Sequence, residues 1–178
     1  TPTHFEIIHS CSEHHVHFLV EKPVTDSTGH AESLKKLTDG SGLIIQVGHI
    51  ERFNPTYIEL KLVLEPLRVF AINFRRLSPY RVSNKDVDVI LDLMVHDLDL
   101  CNDLMEVEPE AINAVGFKPF SQTLDHVVAQ LIYSTGPVMT LTASRITEQK
   151  VRSVEVTADE AYVEADFLNK SIYIHRCS

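Results

Sequence analysis

Apolar and polar positions alternate with two different periods along this chain, and the change of period divides it. Residues 4–14 carry Phe5, Ile7, Ile8 and Cys11 at helical spacing, with Thr3 as the expected N-cap. Val16, Phe18 and Val20 then alternate with His17, Leu19 and Glu21, the signature of a strand over 16–21 that ends with Glu21 and Lys22 at its carboxyl edge before Pro23. Thr25-Asp26-Ser27 starts a second helix with Ala31, Leu34 and Leu37 on one face, closed by Asp39-Gly40-Ser41-Gly42. The short run Leu43–Val47 reads as a parallel strand covered on both faces. Strand, helix and strand with short links make a βα unit.

After Gly48 the organisation changes. Asn54-Pro55 opens a helix to about Glu65 with Ile58, Leu62 and Val63 inward. Residues 67–77 alternate again, Ser78 to Asn84 form a polar loop, and the spacing predicts a helix over about 86–105 bearing many acids. From 110 onward the period is two, in segments near 111–118, 126–134, 137–146, 151–158, 161–167 and 171–175. Consecutive strands without intervening helices predict an antiparallel meander. The expected fold is an α/β remnant, the last βα units of a Rossmann domain over 1–48. An α+β domain with a predominantly antiparallel open sheet follows over 49–178.

The 178 residues suffice for a real core, and 44% hydrophobic with 23% charged residues is ordinary for a globular protein. With 16 basic against 25 acidic residues the formal charge is −9, which argues against nucleic acid or an anionic membrane as partner. Cys11, Cys101 and Cys177 are odd in number and share no short spacing, so a reducing, cytoplasmic home without disulfides is expected. The chain opens Thr1-Pro2-Thr3-His4 without an initiating methionine and enters an apolar-periodic segment at once, which predicts a piece of a larger protein.

Asp92 and His96 stand four apart on the predicted 86–105 helix, so they share one face. An aspartate one turn from a histidine can fix the imidazole tautomer and stabilise its protonated form, as a general base requires. The alternative is an exposed polar pair contributing a few tenths of a kcal/mol. His15 and His17 would project from one strand face, but no metal-ligand spacing is present and no metal is expected. Neither a Gly-x-Ser-x-Gly elbow nor a Gly-x-Gly-x-x-Gly fingerprint occurs.

Four pieces in this order resemble the glucose–fructose oxidoreductase/inositol dehydrogenase (Gfo/Idh/MocA) family: Thr1-Pro2-Thr3-His4; Glu21-Lys22-Pro23; Val47-Gly48 with Arg52-Phe53-Asn54-Pro55; and Asp92 to Asp97. The resemblance covers essentially the whole chain. It implies a fragment lacking most of its Rossmann domain and inactive by itself, which would place the missing glycine turn upstream. It implies an NAD(P)-dependent oxidoreductase that moves a hydride between NAD or NADP and a hydroxyl carbon of a sugar, nucleotide-sugar or polyol.

Carried over by residue, Lys22 would meet nicotinamide and substrate hydroxyl, His96 would take or return the hydroxyl proton, and Asp92 would support it. Thr1, Pro2, Glu21, Lys22 and Arg52 would face the cofactor. Many members show Asn-Arg-Arg-Phe where this chain has Ile50-Glu51-Arg52-Phe53. The wording from Val47 to Pro55 looks most like members acting on nucleotide-linked amino sugars. Arg75, Arg76 and Arg81 would be available to a substrate anion. The rival reading is a non-catalytic dimerisation or ligand-binding module of the same descent, associating through its antiparallel sheet.

Overall fold

Two short strands, β1 (Phe18–Val20) and β2 (Ile45–Val47), pair in parallel with Phe18 opposite Ile45 and Val20 opposite Val47. They belong to the first of two compact units, Thr1–His49 and Ile50–Ser178, in a computed structural model that describes residues 3–80 and 87–176. Helices α1 (His4–Glu13) and α2 (Thr28–Thr38) complete the first unit. Ser27 is extended, and its side chain accepts a hydrogen bond from the His30 N–H, so α2 is capped by the last residue of the predicted Thr-Asp-Ser start.

Thr3 precedes α1 without a side-chain cap bond, contrary to expectation. At the other end, His15 adopts a left-handed φ of 53° while its N–H reaches Ser12 O and the Val16 N–H reaches Cys11 O. That is a Schellman closure with histidine where glycine is usual. It consumes His15 and Val16, so the strand starts at Phe18 rather than 16 and His15 shares no strand face with His17.

Ile8, Val20 and Leu34 form the small core, with Phe18, Ile45 and Val47 packed around it. Period two sends the alternate positions outward, and Leu19 and Ile44 are 68% and 65% exposed. Cover on both faces of β2 is thus not found: among the described residues one helical layer lies on one face.

The second unit is built on a seven-stranded sheet in the order β4-β5-β6-β3-β7-β8-β9. Its strands are β3 (Val69–Leu77), β4 (Ala111–Phe117), β5 (His126–Ile132), β6 (Val138–Ser144), β7 (Val151–Ala158), β8 (Ala161–Asp166) and β9 (Ser171–Arg176). The sheet is mainly antiparallel but not a simple meander. β3 sits between β6, to which it is parallel, and β7, to which it is antiparallel. Alternation along a strand reveals its buried face, not its neighbour, so the insertion of the earliest strand into the middle is invisible in the pattern.

One face of this sheet carries Ile72, Phe74, Leu131, Met139, Leu141, Val154, Val156 and Val163 into a core shared with α3 (Pro55–Leu64) and α4 (Val95–Met105). Asn54 caps α3 by accepting from the Thr56 N–H at 3.1 Å. The inward side of α3 is Tyr57, Leu60 and Leu64, whereas Ile58 and Leu62 point outward at 48% and 61% exposure. Of the three residues expected inward, only Val63 packs against the core, and it is partly buried. α3 is apolar on more than one side, and Tyr57 wins the interior because its hydroxyl finds an acceptor there.

The predicted 86–105 helix is two structures. Asp88 Oδ1 accepts from the Ile90 and Leu91 N–H groups at 3.0 and 2.9 Å and starts a π-helical turn, Ile90–Met94. The Val95 N–H reaches back five residues to Ile90 O, and α4 then continues to Met105. Single π turns inside helices are uncommon and recur at functional sites.

Candidate active site

In the first unit, the carboxyl ends of β1 and β2 meet through the Gly48 N–H, which donates to Val20 O at 2.8 Å. The Glu21 side chain lies across this end: a Cβ on Gly48 would fall 3.0 Å from Glu21 Oε2. Glycine at 48 therefore leaves room for a carboxylate at the tip of the parallel pair. Lys22 follows, joined to Pro23 by a cis peptide, and Pro23 O accepts from His4 Nδ1 at 2.9 Å. The loop that displays Lys22 is thus tied to α1. A carboxylate and an ammonium beside bare backbone at the carboxyl ends of parallel strands suit the ribose hydroxyls and amide of a dinucleotide. Thr1 and Pro2 lie outside the described residues.

In the second unit, the acids of α4 are anchors. Arg76 Nε and Nη2 both donate to Asp97 Oδ1, at 2.9 and 2.6 Å, and its Nη1 donates to Glu51 Oε1 at 2.9 Å. Burial pushes the Asp97 carboxyl up, with Arg76 opposing, while against its own burial Arg76 is raised by Asp97 and Glu51. Burial would raise Glu51, but Arg76, Asn54 and the nearby His96 bring it below the usual carboxylate range.

Arg52 donates from Nε and Nη2 to the two oxygens of Asp99, at 2.8 and 2.7 Å, and from Nη1 to Asp103 at 3.0 Å. Asp103 also takes Tyr57 Oη at 2.7 Å and Lys61 Nζ at 2.8 Å. The Ile50–Phe53 turn, where the wording departs from Asn-Arg-Arg-Phe, thereby clamps β3 and α4 through Glu51 and Arg52. Three of the five Arg52 N–H donors are engaged, and two remain for a ligand.

Asp92 sits in the π turn and His96 in the first turn of α4, both half-buried. Asp92 faces a cavity of about 310 Å³ that Ser78, Leu93, Arg145, Lys150 and Arg152 also line. Arg145 is structural. Its Nε donates to the fully buried Asp125 at 2.8 Å, and its other nitrogens reach Val87 O, Ser121 and Thr123.

Of the arginines expected near a substrate anion, Arg76 is buried in the Asp97 pair, Arg75 is exposed and Arg81 lies outside the described residues. The cations on the cavity wall are instead Arg145, Lys150 and Arg152, which sequence reasoning missed. Arg152 is the cross-strand neighbour of Arg76, a relation that no local pattern discloses.

Cys11 and Cys101 are both thiols, and burial pushes the Cys101 thiol up; Cys177 lies outside the described residues. Among the described residues no three His, Cys, Asp or Glu side chains gather where they could hold a metal ion, and no helix is long and apolar enough to cross a membrane.

Comparison with known proteins adds two family matches. Residues 1–49 match the model of an oxidoreductase family with an NAD-binding Rossmann fold, and residues 67–164 match the GFO/IDH/MocA C-terminal domain. The UDP-N-acetylglucosamine 3-dehydrogenase of Acidithiobacillus ferrooxidans is 33% identical over 177 residues, covering 98% of this chain and 56% of the relative. Its solved structure superposes with a TM-score of 0.90, at 32% identity over 99% of this chain and 59% of that one.

The scyllo-inositol 2-dehydrogenase (NAD(+)) of Bacillus subtilis is 24% identical over 158 residues, 82% of this chain and 46% of the relative. The WlbA dehydrogenase of Bordetella pertussis, solved with NADH and UDP-GlcNAcA, shares the fold at a TM-score of 0.85 and 16% identity, over 99% of this chain and 56% of that one. The chain thus spans about half the length of the curated relatives it matches.

Proposed function

The chain belongs to the Gfo/Idh/MocA family of oxidoreductases, and on that ground we propose that its complete gene product oxidises a hydroxyl carbon of a sugar derivative with NAD or NADP. The observation that carries this reading is the whole-chain relation to a UDP-N-acetylglucosamine 3-dehydrogenase, at 33% identity over 98% of the chain. It favours a nucleotide-linked amino sugar over a free polyol. The nicotinamide, when bound, would accept or return the hydride.

The chain's own residues would do the rest. Lys22, at the bare end of β1, would hold the substrate oxygen and stabilise negative charge developing on it. His96 would take the proton from that oxygen, and Asp92 would orient the imidazole and stabilise its charged form. Glu21 would accept from ribose hydroxyls, and Arg52 would lend its two remaining donors. A cytoplasmic setting fits the thiol cysteines, and the exposed edge strand β4 offers a surface for homo-oligomers.

The test is a substrate panel. The complete gene product, given NAD or NADP, should reduce the nicotinamide with UDP-N-acetylglucosamine and related nucleotide sugars faster than with myo-inositol. Absence of nicotinamide reduction with every sugar and polyol tried would leave only the assembly-module reading.

A further inference from the structure

We propose that Arg152 and Lys150 form an oxyanion subsite in the cavity that Asp92 faces, so that the substrate carries a phosphate or carboxylate group. The inference rests on reading Asp92 as a marker of the substrate side, and otherwise on the cavity itself.

Arg152 is half-buried, and its hydrogen bonds go to neutral oxygens: Leu77 O and Val151 O, each at 2.7 Å, and Ser78 Oγ at 3.3 Å. These use three of its five N–H donors, and two are left over. Its cross-strand neighbour is Arg76, so two guanidinium groups stand opposite each other on one face of the sheet. Like charges so placed repel. Asp97 and Glu51 lie near enough to moderate that repulsion, but Asp97 accepts its hydrogen bonds from Arg76, and Glu51 accepts from Arg76 and Asn54.

Burial, and then Arg76, draw Arg152 down to about 10, with Asp97, Glu51 and Asp92 only partly offsetting. A half-buried cation without a carboxylate hydrogen bond is an arrangement that an incoming anion stabilises.

The contrast with Arg145 on the same wall is informative. That guanidinium spends its donors on Asp125 and on loop oxygens, which makes it part of the frame. Lys150 is exposed at the same cavity, and no ion pair of it occurs among the described residues. The wall therefore offers a planar fork and a mobile ammonium, the pair of donors that a phosphate or a carboxylate would use. Asp92 supplies the opposing charge that would keep the oxyanion toward the Arg152 side.

Calorimetric titration of the chain tests this with three probes: UDP-N-acetylglucosamine (diphosphate), glucuronate (carboxylate) and neutral N-acetylglucosamine. At least one anionic probe should bind about tenfold or more tighter than the neutral sugar, and which one binds separates phosphate from carboxylate recognition. Arg152→Met should weaken the anionic probe about tenfold and Lys150→Met about threefold, with the neutral sugar unchanged.

Asp92→Asn should tighten the anionic probe, a gain that a merely structural role would not produce. Added salt should weaken it. If Arg152→Met does not fold, Lys150→Met, Asp92→Asn and the salt series carry the test. Equal binding of charged and neutral probes, no binding of any probe, or anionic affinity unchanged in the folded variants overturns the subsite. Charge-dependent binding without turnover in the complete gene product would sink the dehydrogenase reading alone. Turnover of a neutral sugar without charge-dependent binding would sink the subsite alone.

Discussion

Arg76 on β3 holds Asp97 on α4 through two nitrogens, 2.9 and 2.6 Å from the same carboxylate oxygen, with the two side chains only 3% and 5% exposed. This is the strut that fixes the first turn of α4, and His96 is the residue immediately before it. Removing one partner of such a pair leaves a buried charge without its counter-ion. Asp97→Ala should therefore cost about 3–5 kcal/mol in urea denaturation, whereas the double change Arg76→Met with Asp97→Leu should recover most of that. A loss below about 1 kcal/mol for Asp97→Ala would mean that the strut does not hold α4.

The second buried pair predicts an acid dependence. Asp125 is wholly buried; against that burial, the Phe120 N–H, Arg145 and Ser121 hold its carboxyl down to about 2. A carboxyl lowered on folding binds its proton more readily in the unfolded chain. Its stabilisation is thus complete above the unfolded value of about 4 and is lost as pH falls through about 2. Stability measured from pH 5 to 2 should fall more steeply for the natural chain than for Asp125→Asn. Parallel curves would remove Asp125 from the account.

Gly48 makes a third, smaller prediction. A methyl group there would press on the Glu21 carboxylate at 3.0 Å, but that carboxylate ends an exposed, flexible side chain. Gly48→Ala should change stability by less than about 1 kcal/mol. In the complete gene product it should nevertheless raise KM for the nicotinamide cofactor severalfold, and Glu21→Ala should do the same. An unchanged cofactor KM in both variants would contradict a ribose-facing role for Glu21.

What the sequence disclosed follows from which physics is local. The faces of β3 and β5–β8 were legible because alternate residues such as Ile72 and Phe74, or Val154 and Val156, must share one side of a sheet. The position of β3 between β6 and β7 was not, since pairing partners are chosen by tertiary packing. On α3, Ile58 and Leu62 offered as plausible an inward face as Leu60 and Leu64, and only the Tyr57–Asp103 hydrogen bond decides between them.

At the site, Glu21, Lys22, Asp92 and His96 were singled out by motif. The anchoring role of the α4 acids has no local signature, because their partners Arg52, Lys61 and Arg76 lie 21 to 51 residues away along the chain. The π turn beneath Asp92 left no mark in the periodicity, because five residues of i→i+5 bonding differ from an α turn by less than the pattern resolves.

The central claim is that Lys22 and His96 carry the proton chemistry of a hydride transfer. Its most direct test is turnover of a nucleotide sugar by the complete gene product with Lys22→Ala and with His96→Asn, alongside unfolding curves of both variants. The account predicts a kcat loss of about a hundredfold or more in each, with stability within about 1 kcal/mol of the natural protein. Near-normal turnover in both variants would contradict it.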